Sequence, residues 1–395
     1  VTQVPTVGAA TPAAGGFCPP AYGQRSLSDI VPAVAAALGN PLAPTPGSPP
    51  GSTTPADRLL LPDAAAYVVF LIDGLGARLL GRYAEAAPYL ASLLVGSAPA
   101  TATVPSTTST SLTSLGTGLT PGGHGLVGFT TRVPGTDELL NALLWDVDVD
   151  PLQWQPHPTA FARLQHAGVR VSVVNKREFD GSGLTVAAHR GADYVGVDRV
   201  GERIAAVVES SATRPSLTYV YDGDLDWTGH RWGVASSEWL QQLAMIDHEA
   251  EQLREALPAD RRLVVIADHG MVDVPATARI DVTMNDHLRA GIALVGGEAR
   301  FRHLYCVGGA VDDVVATWRE ELGARAEVLT RAEAVTRGWF GRVDPSVLPR
   351  IGDVVVACHE DTAILASEHF PYEAKLIGMH GSLTADEMLI PVLVD

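Results

Sequence analysis

Lysine is almost missing from this chain: Lys176 and Lys375 are the only two among 28 basic residues, against 45 acidic ones. The formal net charge of -17 repels phosphodiester backbone and anionic lipid, which argues against duplex nucleic acid as a partner. The lysine shortage itself reads as composition bias. Cysteine is scarce as well. Cys18, Cys306 and Cys358 form an odd, scattered set with no CxxC pair, so neither a disulfide framework nor a zinc–thiolate site has support. Buried free thiols in a reducing compartment are the expectation. No apolar run approaches the roughly 18 residues of a membrane helix, so no membrane span is expected. The opening residues VTQVPTVGAATPAAGG lack a basic stretch followed by an apolar core, so no secretory signal is visible and a cytoplasmic location is expected. Internal repeats are absent, and oligomeric state leaves no signature.

What remains is a core-forming chain. With 395 residues, 46% hydrophobic and 18% charged, it exceeds one small core and is not disordered in composition. Residues 1–56 are rich in Pro, Gly, Ala and Thr. One helix, SLSDIVPAVAAALG, interrupts them with Ser26 or Ser28 as its cap, and NPLAPTPGSPPGSTTPADR reads as a surface loop. This segment is expected to pack on the core. The run AYVVFLID then reads as a strand covered on both faces, and VRVSVVN, SLTYVYD and RRLVVIADHG repeat the pattern. Helical patterns alternate with them, among them PTAFARLQHAG and SSEWLQQLAMIDHEAEQLREALP. The alternation predicts an α/β fold: a doubly wound, mostly parallel sheet flanked by helices, formed by residues 57–280 and 366–395. Residues 281–365 mix strands, turns and the helix VDDVVATWREELG, which predicts an inserted small α+β subdomain.

Ligands of doubly wound sheets bind beyond the carboxyl ends of the strands. Five segments place polar groups there. LIDGLG puts Asp73 directly after a buried strand, where an unpaired charge is costly; taken alone, it also reads as a helix cap. TATVPSTTSTSLTSLGTGLTPGGHG is dense in hydroxyls, either a Ser/Thr-rich loop or a nucleophile loop entering a helix whose first amides attract phosphate. DLDWTGHRWG holds Asp226 and His230 four apart, on one face of a helix, where an oxygen and an imidazole suit one divalent ion or form an ion pair. VVIADHG supplies Asp268 and His269, and GMHG supplies His380 between small residues. Three carboxylates, three histidines and one hydroxyl loop suit two nearby divalent cations.

That set, in that order, resembles the alkaline phosphatase superfamily, and within it the nucleotide pyrophosphatase/phosphodiesterase family. The likeness covers roughly residues 66–130, 215–275 and 373–395. Pro105 lies three residues before Thr108, and the segment from Thr117 to Gly125 follows the family's T-G-L-x-P-x-x-H-G pattern. The resemblance implies an alkaline-phosphatase-like scaffold, with Thr108 as nucleophile and two zinc ions. One is implied on Asp226, His230 and His380. The other is implied on Asp73, Asp268 and His269 with the Thr108 alkoxide. His124 matches a histidine that is not a ligand, and Tyr221 matches a tyrosine lining the substrate pocket.

Two positions depart from the family. Ser109 stands where an aromatic residue stacks on a nucleobase, and Phe129 stands where an asparagine holds a phosphoryl oxygen; Asn175 or Lys176 are candidates to replace it. These departures bear on the nucleotide substrate and leave the metal chemistry intact. The resemblance implies hydrolysis of a small-molecule phosphate ester, a diester or nucleotide-like substrate foremost, through a phospho-threonine. A phosphomonoesterase is the alternative, with Arg177 or Arg300 holding the extra charge. A non-catalytic metal- or phosphate-binding protein on the same scaffold is the alternative of a different class.

Overall fold

The computed structural model describes residues 16–44 and 58–395. Parts of the N-terminal segment, including most of the expected surface loop, therefore lie outside the described residues. The described N-terminal part runs over the core: the amide of Cys18 donates to Leu383 O at 2.7 Å, and Tyr22 Oη donates to Trp339 O at 3.0 Å. Ser26 opens the expected helix. Its amide and hydroxyl both donate to Asp29 Oδ2, at 2.9 and 2.7 Å, and a 3-10 turn at Leu27–Asp29 leads into α1 (Ile30–Ala37).

The continuous apolar runs form strands buried on both faces: β1 (Ala66–Ile72), β2 (Arg170–Asn175), β4 (Ser216–Asp222) and β5 (Arg261–Ile266). A short edge strand, β3 (Asp193–Gly196), precedes β4. The helices that concern the site are α2 (Thr108–Thr117), α3 (Gly183–His189), α4 (Asp224–Trp232) and α5 (Ser237–Ala256). Further on, β6 (Ile292–Glu298), β7 (Phe301–Cys306), β8 (Ala326–Thr330) and β9 (Val354–Cys358) pair antiparallel in a separate sheet, with α6 (Val311–Leu322) packed on it. Its apolar side chains, among them Leu304, Trp318 and Val356, make a second small core. The chain then returns to the main sheet as β10 (Val392–Val394), antiparallel to β5.

The main sheet runs β10-β5-β1-β4-β2-β3. All its neighbours are parallel except β10, so the fold is the expected α/β architecture with a mostly parallel sheet. Register aligns the strand ends: Leu71 pairs with Tyr221 on one side and with Ile266 on the other. Asp73, the start of α4 and Asp268 therefore emerge at one level. Buried ion pairs tie β7 and the residue before it to the C-terminal segment. Arg300 grips Glu387 through Nε at 2.7 Å and Nη2 at 2.9 Å, and Arg302 pairs with Glu373.

Candidate metal centre and active site

Asp73 follows the last residue of β1, and Gly74 behind it adopts a φ of +76°. A Cβ there would also lie 3.1 Å from that of Asp226, so glycine lets the two loops touch. Asp268 and His269 follow β5 in the same way. Asp268 Oδ1 accepts from the amides of Gly74 and His269, at 3.2 and 3.0 Å, which fixes its carboxylate across the β1–β5 gap. Asp226 and His230 share one face of α4. His380 comes from the loop after a two-residue strand that pairs with Val272–Asp273.

These six residues gather into two groups, Asp73–Asp268–His269 and Asp226–His230–His380; within each, three potential ligand atoms lie within 4.8 Å of one another. The imidazoles show which atoms those are. Nδ1 of His230 faces Gly378 O at 2.8 Å, that of His269 faces Gly270 O at 3.0 Å, and that of His380 faces Ser106 O at 2.8 Å. A carbonyl only accepts, so each Nδ1 carries a proton and each Nε2 turns inward. Nε2 of His230 and of His380 lie 3.2 Å apart, and the rings of His269 and His380 stack at 3.7 Å, joining the two groups.

The carboxylates complete the test of fit. Asp73 Oδ1, Asp226 Oδ1 and Asp268 Oδ2 are buried with no hydrogen-bond partner, one orphaned oxygen from each. Burial, reinforced by the charges of Asp268 and Asp226, pushes Asp73 well above the usual carboxylate range, and burial also raises Asp268. Burial works the same way on Asp226, but the imidazoles of His230 and His380 outweigh it and hold that carboxyl low. Three crowded carboxylates with inward oxygens and three bare imidazole nitrogens form a donor set for divalent cations of the N/O-preferring kind. A cation bound at the Asp73–Asp268–His269 group would offset the burial and carboxylate repulsion that oppose ionisation there.

Thr108 is the first residue of α2, with Thr107 as its N-cap. Its Oγ1 donates to Asp73 Oδ2 at 3.3 Å and lies 3.3 Å from His269 Nε2. Most other hydroxyls of the segment are engaged elsewhere, whereas Thr110 Oγ1 and Thr120 Oγ1 are buried without a partner. Ser106 donates to Ser382 O, Ser111 to Asp268 O, Thr113 to Ser109 O and Thr117 to Thr113 O. Ser114 pairs with His124 Nε2 at 2.8 Å, while His124 Nδ1 accepts from the Leu126 amide; burial pushes this histidine down to about 3. His124 is thus a neutral structural group.

Tyr221 donates its hydroxyl to Asp73 Oδ2 at 2.5 Å, and its ring meets Phe179 edge-on at 6.5 Å. Ser109 is fully buried, its hydroxyl on Gly128 O at 3.4 Å, so it presents no surface to a ligand. Phe129 is half-buried and meets Tyr372 edge-on at 6.4 Å. Asn175 is buried and accepts from the Lys176 amide, while Lys176 Nζ reaches Asp224 Oδ1 at 2.9 Å at the start of α4. Arg300 is wholly buried against Glu387, and Arg177 lies exposed on Asp198 and Glu202. The cysteines are free; Cys18 and Cys358 are buried, but Cys306 is only half so.

Sequence reasoning misses Glu298. It closes β6, buried, with Oε2 3.7 Å from His380 Nδ1 and Oε1 unpartnered; burial holds its carboxyl well above the usual range. It presses on Gly381, whose Cβ would sit 2.7 Å from Glu298 Cγ. A lone glutamate in IALVGGE carries no local signal, because only the meeting of the two sheets brings it to His380.

The profile of the type I phosphodiesterase/nucleotide pyrophosphatase family matches residues 67–383, from β1 to just past His380. The chain belongs to that family. The family is one of phosphoester hydrolases within the alkaline phosphatase superfamily. Solved structures share the fold. Murine ectonucleotide pyrophosphatase/phosphodiesterase 5 superposes with a TM-score of 0.65 at 17% identity, over 83% of this chain and 87% of that one. An inactive variant of the same murine protein in complex with AMP gives 0.66 at 18%, over 84% and 87%. Phosphonoacetate hydrolase from Sinorhizobium meliloti, in complex with phosphonoformate, gives 0.65 at 22%, over 84% and 90%. Comparison with curated protein sequences yields no match. Among the described residues no helix is long and apolar enough to cross a membrane.

Proposed function

We propose that this chain is a metal-dependent phosphodiesterase of the nucleotide pyrophosphatase type, working through a phospho-threonine on Thr108. The observation that carries the reading is the position of Thr108 Oγ1, 3.3 Å from both Asp73 Oδ2 and His269 Nε2 at the first turn of a helix. Bound at the two groups, divalent cations, zinc foremost, supply Lewis acidity that lowers the hydroxyl pKa and neutralises phosphoryl charge. The residues do the rest. The amides of the first turn of α2, which lack intrahelical acceptors, are available to hold a phosphoryl oxygen. Thr108 Oγ gives up its proton to solvent and attacks phosphorus in line; its bond to phosphorus forms as the bond to the leaving oxygen breaks. Water then cleaves the phospho-threonine. Asp73 is oriented by Tyr221, Asp268 by two amides, and the three histidines by backbone carbonyls, so little reorganisation is needed.

A diester is favoured over a monoester by charge. A monoester dianion needs an additional cation, yet Arg300 is fully engaged by Glu387 and Arg177 lies with surface acids. AMP in the complex of the murine relative supports a nucleotide-like substrate here too. The test is a side-by-side rate comparison on p-nitrophenyl phosphate, bis-p-nitrophenyl phosphate and a dinucleoside polyphosphate, with metal content measured on the same sample. The reading expects about two divalent ions per chain, loss of turnover on chelation, and preference for the diesters. Metal-loaded protein without turnover of any phosphate ester would instead identify a binding protein.

A further inference from the structure

The helix that supplies Asp226 and His230 carries a second feature. At about 100° per residue, Asp226 and His230 face the metal centre, while Leu225, Thr228 and Gly229 form the buried side. Asp224, Trp227 and Arg231, at i, i+3 and i+7, make an exposed stripe flanking the metal face. Trp227 is 59% exposed and Trp232 is 45% exposed. The guanidinium of Arg231 lies 5.4 Å from the Trp227 ring centroid and 5.3 Å from that of Trp232. Arg231 has no carboxylate partner among the described residues, although acids outnumber bases 45 to 28 in the chain. At the head of the stripe Lys176 Nζ sits 2.9 Å from Asp224. A largely exposed indole, paired with a cation that has no carboxylate partner among the described residues, beside the face that carries Asp226 and His230 makes a binding surface for something aromatic and anionic.

The in-line geometry says which part of the substrate arrives there. Thr108 lies against the Asp73–Asp268–His269 group, so the leaving oxygen departs on the opposite side of phosphorus, toward Asp226, His230 and His380. Ser109, fully buried, offers no stacking surface on the nucleophile's side. We infer that Trp227 and Arg231 form a leaving-group platform that takes a nucleoside carrying phosphate, so that substrates releasing a nucleotide are preferred over those releasing a small anion. The inference rests on the hydrolase reading above and adds the identity of the leaving group. The Trp227 indole stacks on the base and Arg231 meets the phosphate charge.

Two substrates isolate the leaving group, because both place AMP on Thr108: diadenosine tetraphosphate releases ATP, whereas ATP releases pyrophosphate. Trp227→Ala is expected to raise KM for diadenosine tetraphosphate about tenfold, the scale of one lost base stack, and to change KM for ATP less than about twofold. Trp227→Phe should restore most of the difference. Equal effects on the two substrates, or none, overturn the platform while leaving the hydrolase reading in place. The converse is read by calorimetry on metal-loaded Thr108→Ala protein, with and without Trp227→Ala. If wild type turns over neither substrate but Trp227→Ala still weakens diadenosine tetraphosphate binding about tenfold, the platform stands and the hydrolase reading falls. Failure of the parent Thr108→Ala protein to bind diadenosine tetraphosphate more tightly than ATP overturns the platform.

Discussion

His380 and Thr108 answer different questions at the scale of single residues. His380 is held through Nδ1 by Ser106 O, with Glu298 behind it, so its Nε2 is aimed before any ligand arrives. Thr108 has its hydroxyl in the centre but is also the first residue of a buried helix. Thr108→Ala removes the hydroxyl and one methyl group and keeps the helix start, because the cap position belongs to Thr107. Turnover of bis-p-nitrophenyl phosphate should fall by at least about a thousandfold, with metal stoichiometry and circular dichroism unchanged. His380→Ala should lower the bound metal toward one ion per chain, since it removes one of three protein ligands from its group; an unaltered stoichiometry would exclude His380 as a ligand. The two variants together separate nucleophile from ligand, which a rate alone does not.

At the scale of elements, the site depends on how tightly α2 is seated. A Cβ added at Gly116 would come within 1.9 Å of Ala188 O on α3, a backbone atom that cannot swing away. Alanine improves helix propensity by at most about 1 kcal/mol, while overpacking of this kind costs about 1–3 kcal/mol; the clash wins. Gly116→Ala should lower stability by about 2 kcal/mol in denaturant titration and slow turnover by displacing Thr108. Much of this arrangement is legible in the sequence. The apolar runs ending at Ile72, Asp222 and Ile266 announce buried parallel strands, and the polar residues after them mark the ligand edge. Other parts are not legible. The edge strand Asp193–Gly196 is short and half-exposed, so no apolar run betrays it. The hydroxyl-rich segment reads equally as loop or nucleophile helix, because sequence does not tell which hydroxyls will bond backbone carbonyls. Glu298 reaches the centre through packing of the second sheet, a long-range contact with no local pattern.

The whole molecule adds a pH dependence that the active site does not control. Burial pushes His189 and His303 down to about 4, and His124 to about 3, from 6.5. These histidines fold neutral. Below about pH 6.5 the unfolded chain takes up protons that the folded chain refuses, so their contribution to stability, present above that pH, is lost as pH falls toward 4. Buried acids such as Asp247 and Glu249 shift upward and oppose this trend, so the total slope is shared among many residues. A substitution at His189 isolates one term. Both ring nitrogens of His189 lack partners, and the ring packs between Phe161 at 5.7 Å and Tyr219 at 4.9 Å. His189→Phe keeps the packing and deletes the titration. Its stability advantage over wild type should be about 2 kcal/mol larger at pH 5 than at pH 8, since each pH unit between the two pKa values is worth about 1.4 kcal/mol. Denaturant titrations of both proteins at matched metal concentration cancel the acids and the metal centre from the difference. A pH-independent difference would mean that His189 is not buried as a neutral base.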